Sequence, residues 1–306
     1  MTSPRIGLAL GGGGARGLAH IPVLEALDDL GIVPAAIAGT SIGAIMAAGY
    51  GAGMTGADIR TFTTELFNNR TEVLSRLWKL RGKGLSMFEN GGLARIDAER
   101  VVELFLPENL PENIEDLRMP VSLVAADFYG WDEADLRTGP LRKSIAASIA
   151  LPVIFKPVSC HGRVMMDGGL VNPLPFDKLP EDVDIVLAVD VLGGPEPHHR
   201  RKLPSTSESI FGATQLLMQT IQREKLSRRR PDILIRPDIN AFRVLNFLKA
   251  NEILKAAGPV REETKRRLGR LIHVWETGGD LAAEQADALE WTSAERAPAQ
   301  LLQFER

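Results

Sequence analysis

A run of four glycines, Gly11 to Gly14, constrains this sequence more than any other feature. The run follows five apolar residues, Ile6 to Leu10, which is the pattern of a short buried strand. Because glycine has no side chain, the backbone of such a loop lets several N–H groups converge on one anion. The chain is therefore expected to open with a strand that ends in an anion-binding loop.

Strands and helices alternate in the segment that follows. Apolar residues at helical spacing over 17–30, with Gly31 as a stop signal, predict a first helix. A second buried strand is predicted over Ile32 to Ala38, and a second helix over Ile42 to Gly53. This order predicts an α/β fold in which helices pack on a parallel sheet. The length of 306 residues is enough to bury a large core.

The rest of the chain divides into two regions. Residues 58–118 are mostly polar with helical stretches, which indicates a helical insertion beside the sheet. We expect an α/β core over 1–195 and a helical region over 196–306 that packs on the core or extends it. The further predicted elements are helices at Ile59–Leu80, Ala98–Leu106, Glu208–Ser227, Phe242–Ala257, Glu262–Val274 and Leu281–Leu289, and strands at Val121–Ala126, Val153–Val158, Arg163–Met166 and Asp184–Val191.

Composition excludes several classes of protein. The single cysteine, Cys160, rules out a disulfide framework and a cysteine-rich zinc site. The uncharged segment Leu30 to Ala57 is as long as a membrane span, but its proline and several glycines favour a strand, a turn and a buried helix. The first apolar run is too short for a signal peptide. We therefore expect a cytoplasmic protein, with peripheral membrane contact left open.

The first candidate site is Gly39-Thr40-Ser41-Ile42-Gly43, a G-x-S-x-G pattern between a predicted strand and a predicted helix. In this context the serine stands on a sharp turn, and its hydroxyl is free at the end of the sheet. The helix that follows favours negative charge at its N-terminus. The pattern alone is equally typical of a tight turn in which a serine caps a helix.

The glycine loop has two candidate ligands, a phosphate and the oxyanion of acyl transfer. Gly12, Gly14 and Gly17 fit the dinucleotide fingerprint, which also requires an acidic residue at the end of the second strand. Ser41 follows that strand instead. A Walker loop requires lysine after its last glycine, but Leu18 follows Gly17. The oxyanion interpretation is therefore favoured.

The third motif is Asp167-Gly168-Gly169, which follows a predicted strand. In isolation it is more typical of an ordinary Asp-Gly turn. A serine hydrolase usually carries a histidine between its serine and its carboxylate. None of the five histidines has a sequence context that suggests this role: His20, His161, His198, His199 and His273. A Ser–Asp dyad is therefore favoured, with Asp127 and Asp190 as the reserve acids.

Together these motifs resemble the patatin-like phospholipases. The resemblance covers about residues 5–192, and it implies the three-layer α/β/α fold of that family, with a central, mostly parallel sheet, a helical insertion and a helical C-terminal tail. The matching segments are Gly12-Gly13-Gly14-Ala15-Arg16-Gly17, Gly39 to Gly43, Asp167 to Gly169, and the flanking stretches Leu18-Ala19-His20, Ala146 to Pro152 and Asn172 to Pro175.

The resemblance implies a serine acyl-ester hydrolase that acts on lipids, similar to a phospholipase A or a lysophospholipase. Ser41 would be the nucleophile and Asp167 the general base, with an acyl-serine intermediate. No metal or cofactor is implied. The oxyanion hole would come from Gly12, Gly13, Gly14 and Ile42, and the supporting motif residues would be Arg16, Gly17, Gly39, Gly43, Gly168 and Gly169. The alternative is a catalytically weak regulatory or lipid-binding protein that keeps the fold.

The role of Arg16 stays open between steadying the glycine loop, binding a lipid phosphate and forming a surface ion pair.

Charge is unevenly distributed along the chain. Residues 198–270 carry 17 basic and 7 acidic side chains, whereas residues 1–197 carry 17 and 25. A basic block of this kind can dock on an anionic membrane or form a solvated face paired with an acidic core. We expect a lipid or fatty-acyl ester partner and no nucleic acid, and the sequence sets no oligomeric state.

Overall fold

The computed structural model describes residues 3–80, 96–194, 203 and 205–281. The basic cluster Arg200-Arg201-Lys202 lies outside the described residues, as do His198, His199 and nearly all of the predicted helix Leu281–Leu289.

The centre of the fold is an eight-stranded sheet with the order β5-β6-β3-β2-β1-β7-β8, in which β4 also pairs with β3. The strands β8, β7, β1, β2 and β3 run parallel to one another, whereas β4 and β6 are antiparallel to β3. The strands are β1 (Ile6–Leu10), β2 (Ala36–Thr40), β3 (Val121–Asp127), β4 (Asp132–Leu136), β5 (Val158–Cys160), β6 (Arg163–Asp167), β7 (Ile185–Val189) and β8 (Ile233–Ile235).

Nine helices are described around this sheet. They are α1 (His20–Asp29), α2 (Ile42–Gly51), α3 (Gly56–Asn68), α4 (Arg70–Leu80), α5 (Ala98–Phe105), α6 (Leu141–Ser148), α7 (Thr206–Arg228), α8 (Ala250–Ala257) and α9 (Val260–Glu276). Successive strand residues point to opposite faces of the sheet, so the central strands feed two cores. Leu8 and Leu187 belong to the larger core, and Ala9 and Ala188 to the smaller one. The predicted α/β architecture is confirmed.

Several predicted boundaries were wrong for identifiable reasons. The helix predicted over Ile59–Leu80 divides at Asn69 into α3 and α4. The strand predicted over Val153–Val158 was wrong except at Val158, where β5 begins. Val153 has φ 76°, which no extended strand adopts. The region beyond Ser207 was predicted to be helical, but β8 lies within it and pairs with β7. The strand β4 was also missed, because its sequence has little apolar content.

Many charges of the basic stretch 198–270 are paired with the acidic part of the chain. Arg261 and Lys265 on α9 contact Asp29 at 2.7 and 3.2 Å. Lys225 contacts Asp177 at 2.9 Å, and Arg236 contacts Asp190 at the same distance. These pairs account for part of the sequence asymmetry. None of the described helices is both long and apolar enough to cross a membrane.

Candidate active site

Ser41 stands on the turn between β2 and α2. Its backbone angles, φ 54° and ψ −121°, lie outside the usual regions for a residue with a side chain. Such a conformation costs about 1–3 kcal/mol and persists only where the surroundings enforce it. Because β1 and β2 are parallel and Leu10 lies opposite Gly39, the glycine loop and Ser41 follow their strands at the same edge of the sheet.

The Ser41 hydroxyl donates a hydrogen bond of 2.7 Å to Asp167 Oδ2. The topology brings these two residues together. Both β2 and β6 pair with the same edge of β3. Thr40 of β2 lies opposite Val124, and Asp167 of β6 lies opposite the next residue, Ala125. The end of β2 therefore lies beside the end of β6. Although Ser41 is the residue before α2, its hydroxyl bonds Asp167 and does not cap the helix.

The Asp167 carboxyl is buried, with 2% of the residue exposed. Burial raises the pKa of Asp167 from 3.8 to about 6, and the hydrogen bonds from the Ser41 hydroxyl and the Gly169 N–H offset part of this effect. The Gly169 N–H donates to Oδ1 at 2.8 Å. A carboxylate with this pKa is a stronger base than an exposed aspartate, yet it is still ionised at neutral pH.

The glycine loop lies directly beside Ser41. A side chain on Gly12 would place its first carbon 3.3 Å from Ser41 Cβ. The Gly12 N–H, however, donates to the Pro173 carbonyl at 2.9 Å, so this group already has an acceptor and its role as an oxyanion donor stays a prediction. Gly13 is the residue before a 3-10 helix that Gly14 begins, and Ile42 begins α2. The N–H groups at the start of a helix have no acceptors within the helix.

The other motif glycines allow close packing around this turn. An added side chain on Gly17 would collide with Ile42, and one on Gly43 would collide with the Leu10 carbonyl. Gly39 faces the backbone of Gly43 in the same way. On the aspartate side, an added side chain on Gly168 would collide with the Val124 carbonyl, and one on Gly169 would collide with Met218 of α7.

Arg16 is buried, with 2% of the residue exposed, so the surface ion pair considered from the sequence was wrong. Its Nη1 donates to the Phe242 carbonyl at 3.5 Å. The Ala15 N–H donates to the Val244 carbonyl at 2.7 Å. The segment after β8 therefore covers the glycine loop, and Arg16 holds the two together.

Two buried residues near this turn make contacts that no motif in the sequence predicted. Ser148 Oγ accepts a hydrogen bond from the Ser41 N–H at 2.9 Å. His20 lies 2.9 Å from the Gly11 carbonyl through Nε2, and burial lowers its pKa to about 4. Both residues fall in stretches that resemble the patatin-like family, which was the only signal for them in the sequence.

The other described histidines and the reserve acids have surroundings that do not include the Ser41 hydroxyl. His161 is at the turn of the β5–β6 hairpin beside Gly139, and His273 is exposed on α9. Asp127 contacts Arg163, and Asp190 contacts Arg236. Within the described chain, Asp167 is the carboxylate bonded to the Ser41 hydroxyl.

A cavity of about 510 Å³ opens onto Ser41 and Asp167. Its walls come from the glycine loop, from α2 to α5, from α7 and from the segment after β8, and they are predominantly apolar. The side chains that give the cavity this character include Phe62, Leu66, Phe67, Phe105, Phe211 and Met218.

The parallel sheet, the glycine loop and the bonded Ser41 and Asp167 place the chain among α/β proteins that carry a serine on a strand-to-helix turn. A family profile described as Patatin-like phospholipase matches residues 8–180. The chain therefore belongs to the patatin-like phospholipase family, as the sequence motifs predicted.

Several relatives share this similarity. The uncharacterized NTE family protein Rv1063c of Mycobacterium tuberculosis is 34% identical over 193 residues, which are 63% of this chain and 50% of that protein. The uncharacterized NTE family protein Rv2565 of the same organism is 30% identical over 274 residues, 82% of this chain and 45% of that protein. The chain thus spans about half the length of these relatives or less.

Two further proteins are similar to this chain. Patatin-like phospholipase domain-containing protein 6 of Mus musculus is 32% identical over 195 residues, 62% of this chain and 14% of that protein. The crystal structure of VipD from Legionella pneumophila aligns with a TM-score of 0.46 at 14% identity, over 88% of this chain and 67% of that chain.

Proposed function

We propose that this protein is a serine acyl-ester hydrolase that acts on lipids, in the manner of a phospholipase A or a lysophospholipase. The observation that carries the proposal is the 2.7 Å hydrogen bond between the Ser41 hydroxyl and a buried carboxylate at the wall of an apolar cavity. Membership of the patatin-like phospholipase family supports the same chemistry.

In the first half of the reaction, Ser41 Oγ attacks the ester carbonyl carbon while Asp167 accepts the hydroxyl proton. The carbonyl oxygen becomes an oxyanion, which the N–H groups of Gly13, Gly14 and Ile42 stabilise. One such donor contributes about 10²–10³ in rate. The tetrahedral intermediate then breaks its bond to the alcohol oxygen, which takes the proton from Asp167 and leaves an acyl group on Ser41.

In the second half, water attacks the acyl-serine carbonyl while Asp167 accepts a proton from the water. The same N–H groups hold the second oxyanion. Collapse of this intermediate releases the fatty acid and returns the proton to Ser41 Oγ. The proposed cycle therefore uses only groups of this chain and one water molecule, and it ends with Ser41 and Asp167 in their starting states.

The cavity favours a lipid substrate. Its walls are built mainly from aliphatic and aromatic side chains, and burial of an acyl chain against them contributes about 25 cal/mol for each Å² removed from water. A polar ester substrate would gain little there. The proposal is therefore an acyl hydrolase whose cavity holds a fatty-acyl chain and presents its ester carbonyl to Ser41.

We also propose peripheral contact with anionic membranes through the basic stretch 198–270. Leu216 and Leu217 of α7 are more than half exposed. Arg228 is the last residue of the same helix, Arg229 and Arg230 follow it, and all three are exposed. Exposed apolar side chains and basic side chains on one helix are typical of a helix that lies on a membrane. The ion pairs of Lys225, Arg261 and Lys265 reduce the charge that remains for such contact.

The test of the proposed function is Ser41→Ala, with Ser159→Ala, an exposed serine on β5, as the matched control. We expect Ser41→Ala to lose hydrolysis of a short-chain chromogenic ester and of a phospholipid panel. It should also lose covalent labelling by a fluorophosphonate, while the control keeps all three. Retained turnover in a folded Ser41→Ala variant would refute the serine mechanism. A wild-type protein that binds lipid but neither hydrolyses ester nor takes the label would favour the lipid-binding alternative.

A further inference from the structure

The end of α6 contacts the main chain of both residues in the proposed dyad. Ser148 Oγ accepts the Ser41 N–H at 2.9 Å. The Ala150 carbonyl, two residues later, accepts the Asp167 N–H at 3.1 Å. One short segment therefore holds the two backbone positions from which the reacting side chains extend.

The orientation of the Ser148 hydroxyl is fixed by a second hydrogen bond. It donates its proton to the Val124 carbonyl at 2.6 Å, so the oxygen presents a lone pair to the Ser41 N–H. Ser148 is fully buried, which leaves no room for solvent to replace either bond. Removing this hydroxyl would leave the Ser41 N–H and the Val124 carbonyl short of a partner.

These bonds act on the most strained residue of the site. The backbone of Ser41 has φ 54° and ψ −121° and needs external restraint to stay there. Val124 is also the sheet partner of Thr40, and its neighbour Ala125 is the partner of Asp167. Ser148 thus connects the nucleophile turn to the strand that positions the carboxylate.

We propose that Ser148 is a positioning residue that sets the distance between Ser41 Oγ and the Asp167 carboxylate by holding the Ser41 main-chain amide. This inference rests on the proposed function, because it assumes that Ser41 and Asp167 react. Ser148 is not among the residues that line the cavity in the described chain, so substrate binding should not depend on it.

The main test compares Ser148→Ala with Ser144→Ala. Ser144 lies one turn earlier on α6, is equally buried and donates to the Pro140 carbonyl at 3.0 Å without touching Ser41. For ester hydrolysis by Ser148→Ala, we expect kcat to fall about 10- to 100-fold with an unchanged KM, because the effect is on alignment and not on binding. Fluorophosphonate labelling should slow by a similar factor. Ser144→Ala should stay close to wild type in both assays.

A pH profile separates positioning from a general loss of structure. The bond from the Ser41 hydroxyl lowers the pKa of Asp167, so its loosening should move the acid limb of kcat to higher pH in Ser148→Ala. Ser144→Ala should keep the wild-type profile. If Ser148→Ala does not fold, Ser148→Cys replaces it, because a thiol keeps nearly the same volume but is a weak donor and acceptor.

These experiments distinguish failure of the positioning role from failure of the proposed function. If Ser41→Ala is inactive but Ser148→Ala, or Ser148→Cys in its place, keeps the wild-type kcat and labelling rate, the positioning role alone is overturned. Active Ser41→Ala would overturn the proposed function. A slower Ser148 variant with unchanged KM and a displaced acid limb would support the positioning role, whereas an increase in KM alone would contradict it.

Discussion

Replacing Asp167 with asparagine should abolish turnover and yet stabilise the fold above about pH 6. The carboxyl group is buried, and burial raises its pKa from 3.8 to about 6. Ionisation of Asp167 therefore costs the folded protein about 3 kcal/mol relative to the unfolded chain once the pH is well above 6. Asparagine has nearly the same shape but carries no charge, so this cost disappears.

The sign of the pH dependence follows from the proton count. Between about pH 4 and pH 6, the folded wild-type protein binds more protons at Asp167 than the unfolded chain, so this group lowers stability as the pH rises. Asparagine has one acceptor oxygen, whereas Asp167 accepts from both Ser41 and Gly169, and this difference costs about 1 kcal/mol. The net gain is therefore about 2 kcal/mol near pH 8, and it vanishes near pH 4.

The assay is urea unfolding followed by far-UV circular dichroism at both pH values. Asp177→Asn is the control, because Asp177 also accepts hydrogen bonds through its carboxylate but its pKa is shifted in the opposite direction. Burial opposes its ionisation, but hydrogen bonds from Lys225 and Asn172 outweigh burial and lower its pKa. Asp177→Asn should therefore destabilise the protein near pH 8. If Asp167→Asn is destabilised there as well, the argument that Asp167 is an unfavourable buried charge is wrong.

Two further predictions concern pH and membrane binding. The value of kcat/KM for a neutral ester should rise to a plateau with a midpoint near pH 6, because Asp167 must be ionised to accept a proton, and a midpoint near pH 4 would contradict the assignment. Replacing Arg228, Arg229 and Arg230 with glutamine should weaken co-sedimentation with anionic liposomes at low salt and leave soluble-ester turnover unchanged. Wild-type binding that is equal for neutral and anionic vesicles, or insensitive to salt, would show that the basic stretch is not the contact.

The sequence predicted the elements whose signal is local. The strands β1 and β7 are continuous runs without a polar side chain, β3 is apolar apart from Ser122 and Asp127, and all residues of the three strands are buried. The strand β8 has three residues and no flanking pattern, so it is recognisable only from its pairing with β7. In the strand β4, the alternation of apolar and polar residues is weak, because much of the strand faces solvent.

The parts of the candidate site that the sequence did not reveal depend on distant contacts. Ser148 and Ser41 are 107 positions apart, and Arg16 and Phe242 are 226 positions apart. No spacing rule connects residues at such separations. The same holds for the N–H of Gly12, whose acceptor is Pro173, and for the pKa of Asp167, which depends on its burial. Local motifs could thus identify the candidate reacting groups but not the bonds that orient them.

The region beyond residue 196 contributes to the core, and this gives a last prediction about folding units. The strand β8 completes the parallel sheet beside β7, and Ile253 of α8 and Leu268 of α9 are fully buried in the larger core. Arg261 adds a contact to Asp29 of α1. A fragment of residues 1–195 would expose this apolar surface and leave β7 as an open edge, so we expect it to aggregate or to unfold without cooperativity in urea. Cooperative unfolding of a monomeric fragment, with ester turnover retained, would show instead that the first 195 residues form an independent domain.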